Sequence, residues 1–275
     1  MTRSIATSDP WKTLSRFTQA RIGLGRVGSS LPTAAMLDFS MAHAHTRDAI
    51  HASFPADDLA QKLEHAGFAT GRAWSQAKDR AEYLHRPDLG RRLSPACMEG
   101  LQPLTGSTRR ISFVIADGLS SLAPAQHALP LLMALKPQLA SWDVDEIVLA
   151  TQARVALGDE IGALRGAEAV VILIGERPGL NAADSLGAYL TYKPRVGRSD
   201  AERNCISNIR PAGLSYERAA YKLAYLLHAA RALGATGVQL KDDSDVAGRR
   251  LSRGAGDPFL IGRERHSSAS SGSQG

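Results

Sequence analysis

Cysteine is scarce in this chain, and long apolar runs are missing from it. The two cysteines, Cys97 and Cys205, are far apart and in no metal-ligand spacing, which predicts free thiols in a reducing, cytoplasmic compartment. No stretch approaches the roughly 18 apolar residues of a membrane span, and residues 1–17 lack the apolar centre of a secretory signal. These absences argue against a disulfide-rich secreted domain and against a membrane protein.

The positive charge of the chain is concentrated at its two ends. The net charge is +6, but residues 1–28 hold five basic residues against one acidic residue, and residues 248–275 hold five against two. The body between them is therefore close to neutral. Nucleic-acid binding needs a basic patch or stripe on the folded part, so the sequence predicts no nucleic-acid partner. A basic-tailed interaction protein stays open as a minor alternative.

The pattern of secondary structure changes near residue 105. Before it we expect an arm over residues 1–20, a helix capped by Thr33, a second helix near 56–66, and a third near 74–84 in an otherwise irregular segment. After it, strands alternate with helices, which predicts an α/β fold with a Rossmann-like, mostly parallel sheet and flanking helices. We divide the chain into a smaller, mainly helical N-terminal region (1–105), a Rossmann-like domain (106–245) and a disordered tail (246–275).

Four strands and three helices are predicted in the second region. The strands cover residues 111–116, 146–150, 170–174 and 236–240, and the segment from 175 to 205 is interpreted as a long polar loop. The helices cover residues 121–137 with a break at Pro130, 158–164, and 215–233.

A glycine-rich motif near the N-terminus has a formal match to a dinucleotide-binding fingerprint. Gly23, Gly25 and Gly28 satisfy G-x-G-x-x-G. The fingerprint requires a preceding strand and a helix directly after it, whereas only a stub of strand fits before this one and Ser29–Pro32 intervenes after it. We interpret the motif as a loop and keep a stand-alone NAD(P)- or nucleotide-binding Rossmann protein as the alternative function.

Three turns are expected to meet at one edge of the predicted sheet. They are residues 117–118, 154–155 and 175–179, each of which follows a predicted strand, and Cys205 could fold over them. Ligands of open α/β sheets bind beyond the carboxyl ends of the strands. This edge is therefore the predicted ligand site.

The side chains at this edge suit binding better than catalysis. They include the carboxylate of Glu176, the guanidinium groups of Arg154 and Arg177, and the thiol of Cys205. No histidine occurs between residues 127 and 228, so no nucleophile has a candidate base. The sequence predicts a site that holds a large polar ligand, with no catalytic residue and no metal ligand of its own.

Six segments form a recognisable set: RIGLGRVGSSLPT, LDFSMAHAHTRDAIH, ADGLSS, QARVALGDEIG, VVILIGERPGLNAADSLGAYLTYKPR and ERNCISNIRPAGLSYERAA. The most specific parts are LIGERPGL and NCISNIRP, in this order. On these segments the chain resembles the small (light) subunit family of adenosylcobalamin-dependent ethanolamine ammonia-lyase over roughly residues 20–240.

The resemblance implies a cofactor, its contacts and a partner. The cofactor would be adenosylcobalamin, contacted by Val155, Glu176 and Cys205, with Arg154 and Arg177 as second-tier candidates suggested by position. The partner would be a large subunit with a TIM-barrel fold that carries the substrate pocket, in a heteromeric assembly of several αβ pairs. The reaction would convert ethanolamine to acetaldehyde and ammonia by a radical mechanism, and this chain alone would be inactive. Some relatives are packaged in a bacterial microcompartment.

Overall fold

A seven-stranded sheet forms the centre of the molecule. The computed structural model describes residues 5–101 and 109–245. Its strands, β1 to β7, span Thr70–Trp74, Arg110–Ala116, Asp143–Val144, Ile147–Thr151, Ala169–Gly175, Leu186–Tyr192 and Asn204–Ile209. Its α-helices, α1 to α7, span Thr33–His51, Ala56–His65, Arg80–His85, Pro95–Met98, Leu122–Leu135, Val155–Leu164 and Tyr216–Leu233.

The sheet is parallel over most of its width and antiparallel along one edge. Its strand order is β1-β4-β2-β5-β6-β7, with the two-residue β3 paired to β2. Strands β1, β4, β2 and β5 run parallel, whereas β6 and β7 each pair antiparallel with the preceding strand. The prediction of a mostly parallel α/β sheet with flanking helices, preceded by a mainly helical region, is confirmed.

The chain crosses the sheet between β4 and β5. In the sheet, β2 lies between these two strands. The connection that contains α5 leads from β2 toward β4 on one side, and the connection that contains α6 leads from β4 past β2 to β5 on the other side. Where neighbouring connections leave in opposite directions, a crevice opens beyond the carboxyl ends of the strands. The topology therefore makes the carboxyl ends of β2, β4 and β5 the candidate ligand edge.

Apolar side chains cover both faces of the sheet. Strands β2 and β5 are buried along their whole length, as expected for parallel strands between two helical layers. Phe113 packs in one cluster with Leu223 of α7, and its neighbour Val114 packs in the other cluster with Leu157 of α6. Because successive residues of a strand point to opposite faces, β2 contributes to both layers of the core.

The first hundred residues contain a strand that the sequence did not predict. Residues 70–74 were expected to lie in an irregular segment, but they form β1, and the helix predicted over 74–84 is the shorter α3. Only Ala73 is buried in β1, so this edge strand lacks the apolar alternation that would reveal it.

β1 lies before residue 105, yet it joins the sheet whose other strands all lie after that residue. The division into three regions stays a prediction, and the tail 246–275 lies outside the described residues.

The segment between β5 and Cys205 is not one long loop. Residues 186–192 form β6, which pairs with β5 over seven residues and is buried at all positions except Tyr189. Gly187 and Thr191 interrupt the apolar pattern, so the sequence alone did not reveal the strand. β7 follows and places Cys205 opposite Tyr189 in register.

The prediction of a strand over residues 236–240 is also wrong, because the chain forms a 3-10 turn there at Gly237–Gln239. Gly237 has a φ of 78°, and a Cβ atom at this position would overlap the carbonyl oxygen of Ala201. The close approach needs a glycine in a left-handed conformation, which an extended strand does not provide.

Helices α1 and α5 differ from the sequence prediction in detail. Pro32, and not Thr33, holds the N-cap position of α1. α5 continues through Pro130. Burial of Leu131 and Leu132, directly after the proline, offsets the roughly 3 kcal/mol that an internal proline costs a helix. No helix in the described part of the chain combines the length and apolarity that a membrane span needs.

Candidate functional site

A cleft of about 440 Å³ opens at the carboxyl edge of the sheet. Four of the five site residues predicted from the sequence line it, namely Arg154, Val155, Glu176 and Arg177. The other lining residues are Tyr83, Gly118, Leu119, Ile174, Gly175, Tyr189 and Ser207. The structure thus brings the turns after β2, β4 and β5 together around one cavity, of a size usual for ligand sites.

Arg154 is held by a tyrosine that the sequence analysis missed. Val155 opens α6, and Arg154 is its N-cap residue, with a backbone N–H that donates to the Gly90 carbonyl over 2.8 Å. The Arg154 guanidinium lies 4.3 Å from the centre of the Tyr83 ring, and its Nη2 donates to the Tyr83 carbonyl over 3.2 Å. The fully buried Tyr83 in turn donates its hydroxyl to Ala153 over 3.0 Å. Tyr83 therefore supports both the side chain and the backbone of the turn after β4.

Gly90 permits this packing. A Cβ atom at Gly90 would lie 3.0 Å from Cγ of Arg154 and 3.0 Å from the Tyr83 ring. Such contacts are closer than apolar atoms normally approach, so a larger residue would push the arginine off the ring. No local pattern marked Tyr83, because it lies 71 residues before Arg154 in a region that we expected to be separate.

Asp117 connects the turn after β2 to the turn after β4. Its buried carboxylate accepts hydrogen bonds from the backbone N–H groups of Gly118, Gln152 and Ala153 over 2.9, 2.9 and 3.0 Å. Burial raises the pKa of Asp117, while these donors and Arg80 oppose the rise. The hydrogen bonds satisfy the carboxylate within the protein. Asp117 is thus a structural anchor of the cleft.

The turn after β2 and the end of β5 approach each other through glycines. Gly118 has a φ of 57°, and a Cβ atom there would overlap the carbonyl oxygen of Gly175. A Cβ atom at Gly175 would overlap the carbonyl oxygen of Ser120. Leu119 donates its N–H to the Gly175 carbonyl over 2.9 Å, which locks the two segments together. Neither glycine has room for a side chain.

Glu176 joins the ends of three strands. Its carboxylate accepts hydrogen bonds from the hydroxyl of Ser185, from the hydroxyl of Ser207 over 2.6 Å, and from the N–H of Asn208 over 3.2 Å. A Cβ atom at Gly187 would lie 3.0 Å from Oε1, so this glycine leaves space for the carboxylate. Glu176 is half-buried, and it lines the cleft from a fixed position. The neighbouring Arg177 is exposed at the rim.

Cys205 lies beside the cleft and is not part of its lining. It is exposed on β7, opposite Tyr189, whose side chain does line the cleft. Partial desolvation raises the pKa of the Cys205 thiol, and the negative charge of Glu176 adds to the rise, although a hydrogen bond with Tyr189 opposes it. A thiol with a raised pKa is a poor nucleophile and a poor metal ligand at neutral pH. Its position on β7 beside the cleft suits a residue that contacts a ligand by packing.

The glycine-rich motif near the N-terminus is a loop. Gly23, Gly25 and Gly28 all have positive φ, and the regular element before them is a 3-10 helix over Pro10–Phe17. No strand precedes the motif within the described residues, as the dinucleotide fingerprint would require. The alternative of a stand-alone nucleotide-binding Rossmann protein is not favoured.

The cleft combines fixed acceptors, guanidinium donors and aromatic surface. Among the described residues, the buried Nε of Arg154 has no hydrogen-bond partner. The carboxylate of Glu176 in the cleft wall, and that of Asp117 behind it, already accept hydrogen bonds from protein donors. No histidine of the described residues lines the cavity. This arrangement can bind a large polar ligand by hydrogen bonds and packing. The described residues around it include no paired nucleophile and base.

Comparisons with known proteins identify the family of the chain. A family model described as Ethanolamine ammonia-lyase light chain (EutC) matches residues 8–241. The chain is 52% identical over 267 residues to the ethanolamine ammonia-lyase small subunit of Azotobacter vinelandii, covering 94% of this chain and 98% of the relative. It is 52% identical over 246 residues to that of Bradyrhizobium diazoefficiens, covering 88% and 94%. The chain therefore belongs to the ethanolamine ammonia-lyase light-chain family.

Proposed function

We propose that this chain forms one wall of the adenosylcobalamin site of an ethanolamine ammonia-lyase. A large subunit with a TIM-barrel fold would form the other wall and carry the substrate pocket. The observation that carries the proposal is the cleft, in which Arg154, Val155, Glu176 and Arg177 converge from two separate turns with Cys205 beside them. The assembly would contain several αβ pairs in the cytoplasm or in a bacterial microcompartment.

The residues of the cleft fit the chemistry of a corrin ring. The ring carries amide side chains, which need acceptors such as Glu176 and donors such as Arg154. The unpartnered Nε of Arg154 supplies a donor that the described residues leave unsatisfied. Val155, at the start of α6, presents apolar surface beside this donor, and Tyr189 supplies an aromatic face near Cys205.

The chain binds and shields, and it does not itself react. When bound, the cofactor supplies the radical chemistry by which ethanolamine becomes acetaldehyde and ammonia. Glu176 and Arg154 would orient the corrin from fixed positions. The layer of β6 and β7 behind Tyr189 would exclude water from that side of the cofactor.

The proposal is tested by rebuilding the enzyme from its two subunits. The chain alone should show no ethanolamine deamination, and adding the large subunit of the same organism with adenosylcobalamin should restore it. Glu176→Ala should raise the KM for adenosylcobalamin by about 10-fold or more, because a hydrogen bond to a charged group contributes about 1.5–3 kcal/mol. The KM for ethanolamine should change by less than about twofold, since the substrate pocket belongs to the partner.

Glu64→Ala is the matched control, because Glu64 is exposed on α2 and bonds Thr70 at the start of β1, away from the cleft. It should leave both constants unchanged. Deamination by the chain alone would overturn the division of roles. A rise in the ethanolamine KM with an unchanged cofactor KM would place Glu176 at the substrate.

A further inference from the structure

Large apolar side chains are exposed in one continuous part of the sequence. Among the described residues, 11 of the 18 exposed large apolar side chains fall within residues 5–41. They include Trp11 at 65% exposure, Phe17 at 73% and Leu37 at 65%. The others are scattered along the body of the chain, as single exposed apolar residues usually are. We call residues 5–41 the arm–helix surface.

Helix α1 contributes to this surface and has little support from the rest of the chain. It has 19 residues, of which only Ala49 is buried. Most helices in proteins gain their stability by packing an apolar face and not from intrinsic helix propensity. Met36, Leu37 and Met41 remain exposed on α1, at 55%, 65% and 62%. The helix therefore offers apolar area that the described residues leave uncovered.

A groove between the arm and α1 gives this surface a concave part. It has a volume of about 470 Å³ and is lined by Lys12, Arg21, Leu24 and Asp38 among others. Aromatic and methionine side chains, which this surface exposes outside the groove, are enriched at the centres of protein interfaces, where a few anchors provide most of the binding energy. Residues 9–26 also hold four basic residues against one acidic residue. A partner should therefore present apolar anchors with carboxylates around them.

The arm–helix surface is anchored to the rim of the cleft. Asn181 donates its side-chain amide to the Gln19 carbonyl, and Arg21 donates to the Leu180 carbonyl over 3.4 Å. Thr46 of α1 donates to the Gly179 carbonyl over 3.3 Å. These three contacts all reach residues 179–181, only a few positions after Glu176. The surface and the cleft therefore lie along one edge of the molecule.

We propose that the arm–helix surface docks the large subunit, so that one partner covers both this surface and the cleft. The proposal rests on the proposed function, in which the large subunit closes the cofactor site. The shared edge favours the large subunit over a second copy of this chain, because a partner that closes the cleft must approach along residues 177–181. Exposed apolar side chains that are grouped together and rimmed by polar residues mark interaction sites.

The test measures binding between the two purified subunits without cofactor. The double variants Trp11→Ser with Phe17→Ser, and Leu37→Ser with Met41→Ser, should each weaken the Kd for the large subunit by about 10-fold or more, as loss of interface anchors does. The control is Met133→Ser with Val238→Ser, which removes apolar side chains that are 49% and 80% exposed elsewhere on the body. It should change the Kd by less than about twofold. Circular dichroism checks that each variant is folded.

Two outcomes would overturn the docking proposal. Arm and helix variants that bind the large subunit as tightly as wild type would show that the partner does not use this surface. Loss of self-association of this chain in the same variants, with large-subunit binding unchanged, would identify a second copy as the occupant. The two proposals can fail separately, because Glu176→Ala is tested by the cofactor KM at saturating large subunit, whereas the arm and helix variants are tested by the subunit Kd without cofactor.

Discussion

Gly175 is the position at which the cleft should tolerate an added methyl group least. In Gly175→Ala the Cβ atom would overlap the Ser120 carbonyl oxygen and lie 2.6 Å from that of Asp117. Both are backbone atoms of the turn after β2, so no side chain can rotate to make room. The turn must move away from β5, and the 2.9 Å hydrogen bond from Leu119 N–H to Gly175 must lengthen or break.

The expected loss of stability follows from these two effects. Overpacking of a well-packed site costs about 1–3 kcal/mol, and a lost backbone hydrogen bond adds about 1 kcal/mol. A total of about 3 kcal/mol corresponds to a fall in Tm of roughly 6–12 °C for a domain of about this size. Displacement of the turn also moves Gly118 at the cleft wall. We therefore expect a higher KM for adenosylcobalamin in the rebuilt enzyme as well.

Thermal unfolding followed by circular dichroism measures the first effect. Gly179→Ala is the matched control, because a Cβ atom there would lie 3.8 Å from Cβ of Ala182, an ordinary contact distance. Its Tm should stay within about 2 °C of wild type, since surface substitutions usually change stability by less than about 0.5 kcal/mol. If Gly175→Ala melts at the same temperature as Gly179→Ala, the close approach of β5 to the turn after β2 is refuted.

Substitutions of Tyr83 test how the cleft holds Arg154, and a substitution of Glu202 tests how an ion-paired carboxylate outside the cleft contributes to stability. Tyr83→Leu removes the ring under Arg154 and should raise the cofactor KM by about 10-fold, since a desolvated cation–π contact contributes up to about 2 kcal/mol. Tyr83→Phe keeps the ring and should raise the cofactor KM less. Equal effects of the two variants would contradict a role for the ring. At Glu202, hydrogen bonds from Ser199 N–H and Arg198 lower the pKa from 4.5 to about 2. The stabilisation by the charged carboxylate is thus present above pH 4.5 and is lost as the pH falls toward about 2. The difference in urea midpoint between wild type and Glu202→Gln should therefore shrink over that range. A difference that is constant with pH would contradict this.

The central strands and the meeting of the turns after them could be predicted because their signals are local. The run from Val170 to Ile174 is apolar at every position, and the polar turn with Gly175 and Glu176 follows it directly. A parallel strand that ends in such a turn places its next residues at the ligand edge. The same reasoning applies to Arg154 and Val155 after β4. These residues accordingly line one cleft.

The supports of that cleft could not be predicted, because their partners are distant in sequence. Tyr83 meets Arg154 across 71 residues, and Asp117 meets Ala153 across 36. Neither contact leaves a periodic trace. β1 and β6 were missed for a related reason, since Gly71, Gly187 and Thr191 interrupt their apolar patterns and pairing with neighbouring strands holds them in place.

The hydrogen bonds of Glu176 bear on how the cleft would bind its ligand. A carboxylate offers about four acceptor positions, and Ser185, Ser207 and Asn208 occupy three of them. One position remains for a ligand amide, and the carboxylate is held in place before binding. A fixed acceptor loses little conformational freedom on binding, so more of the contact energy is expressed as affinity. Glu176 would therefore act as both a strut between β5, β6 and β7 and a ligand contact, which is why loss of its side chain should affect the cofactor more than the substrate.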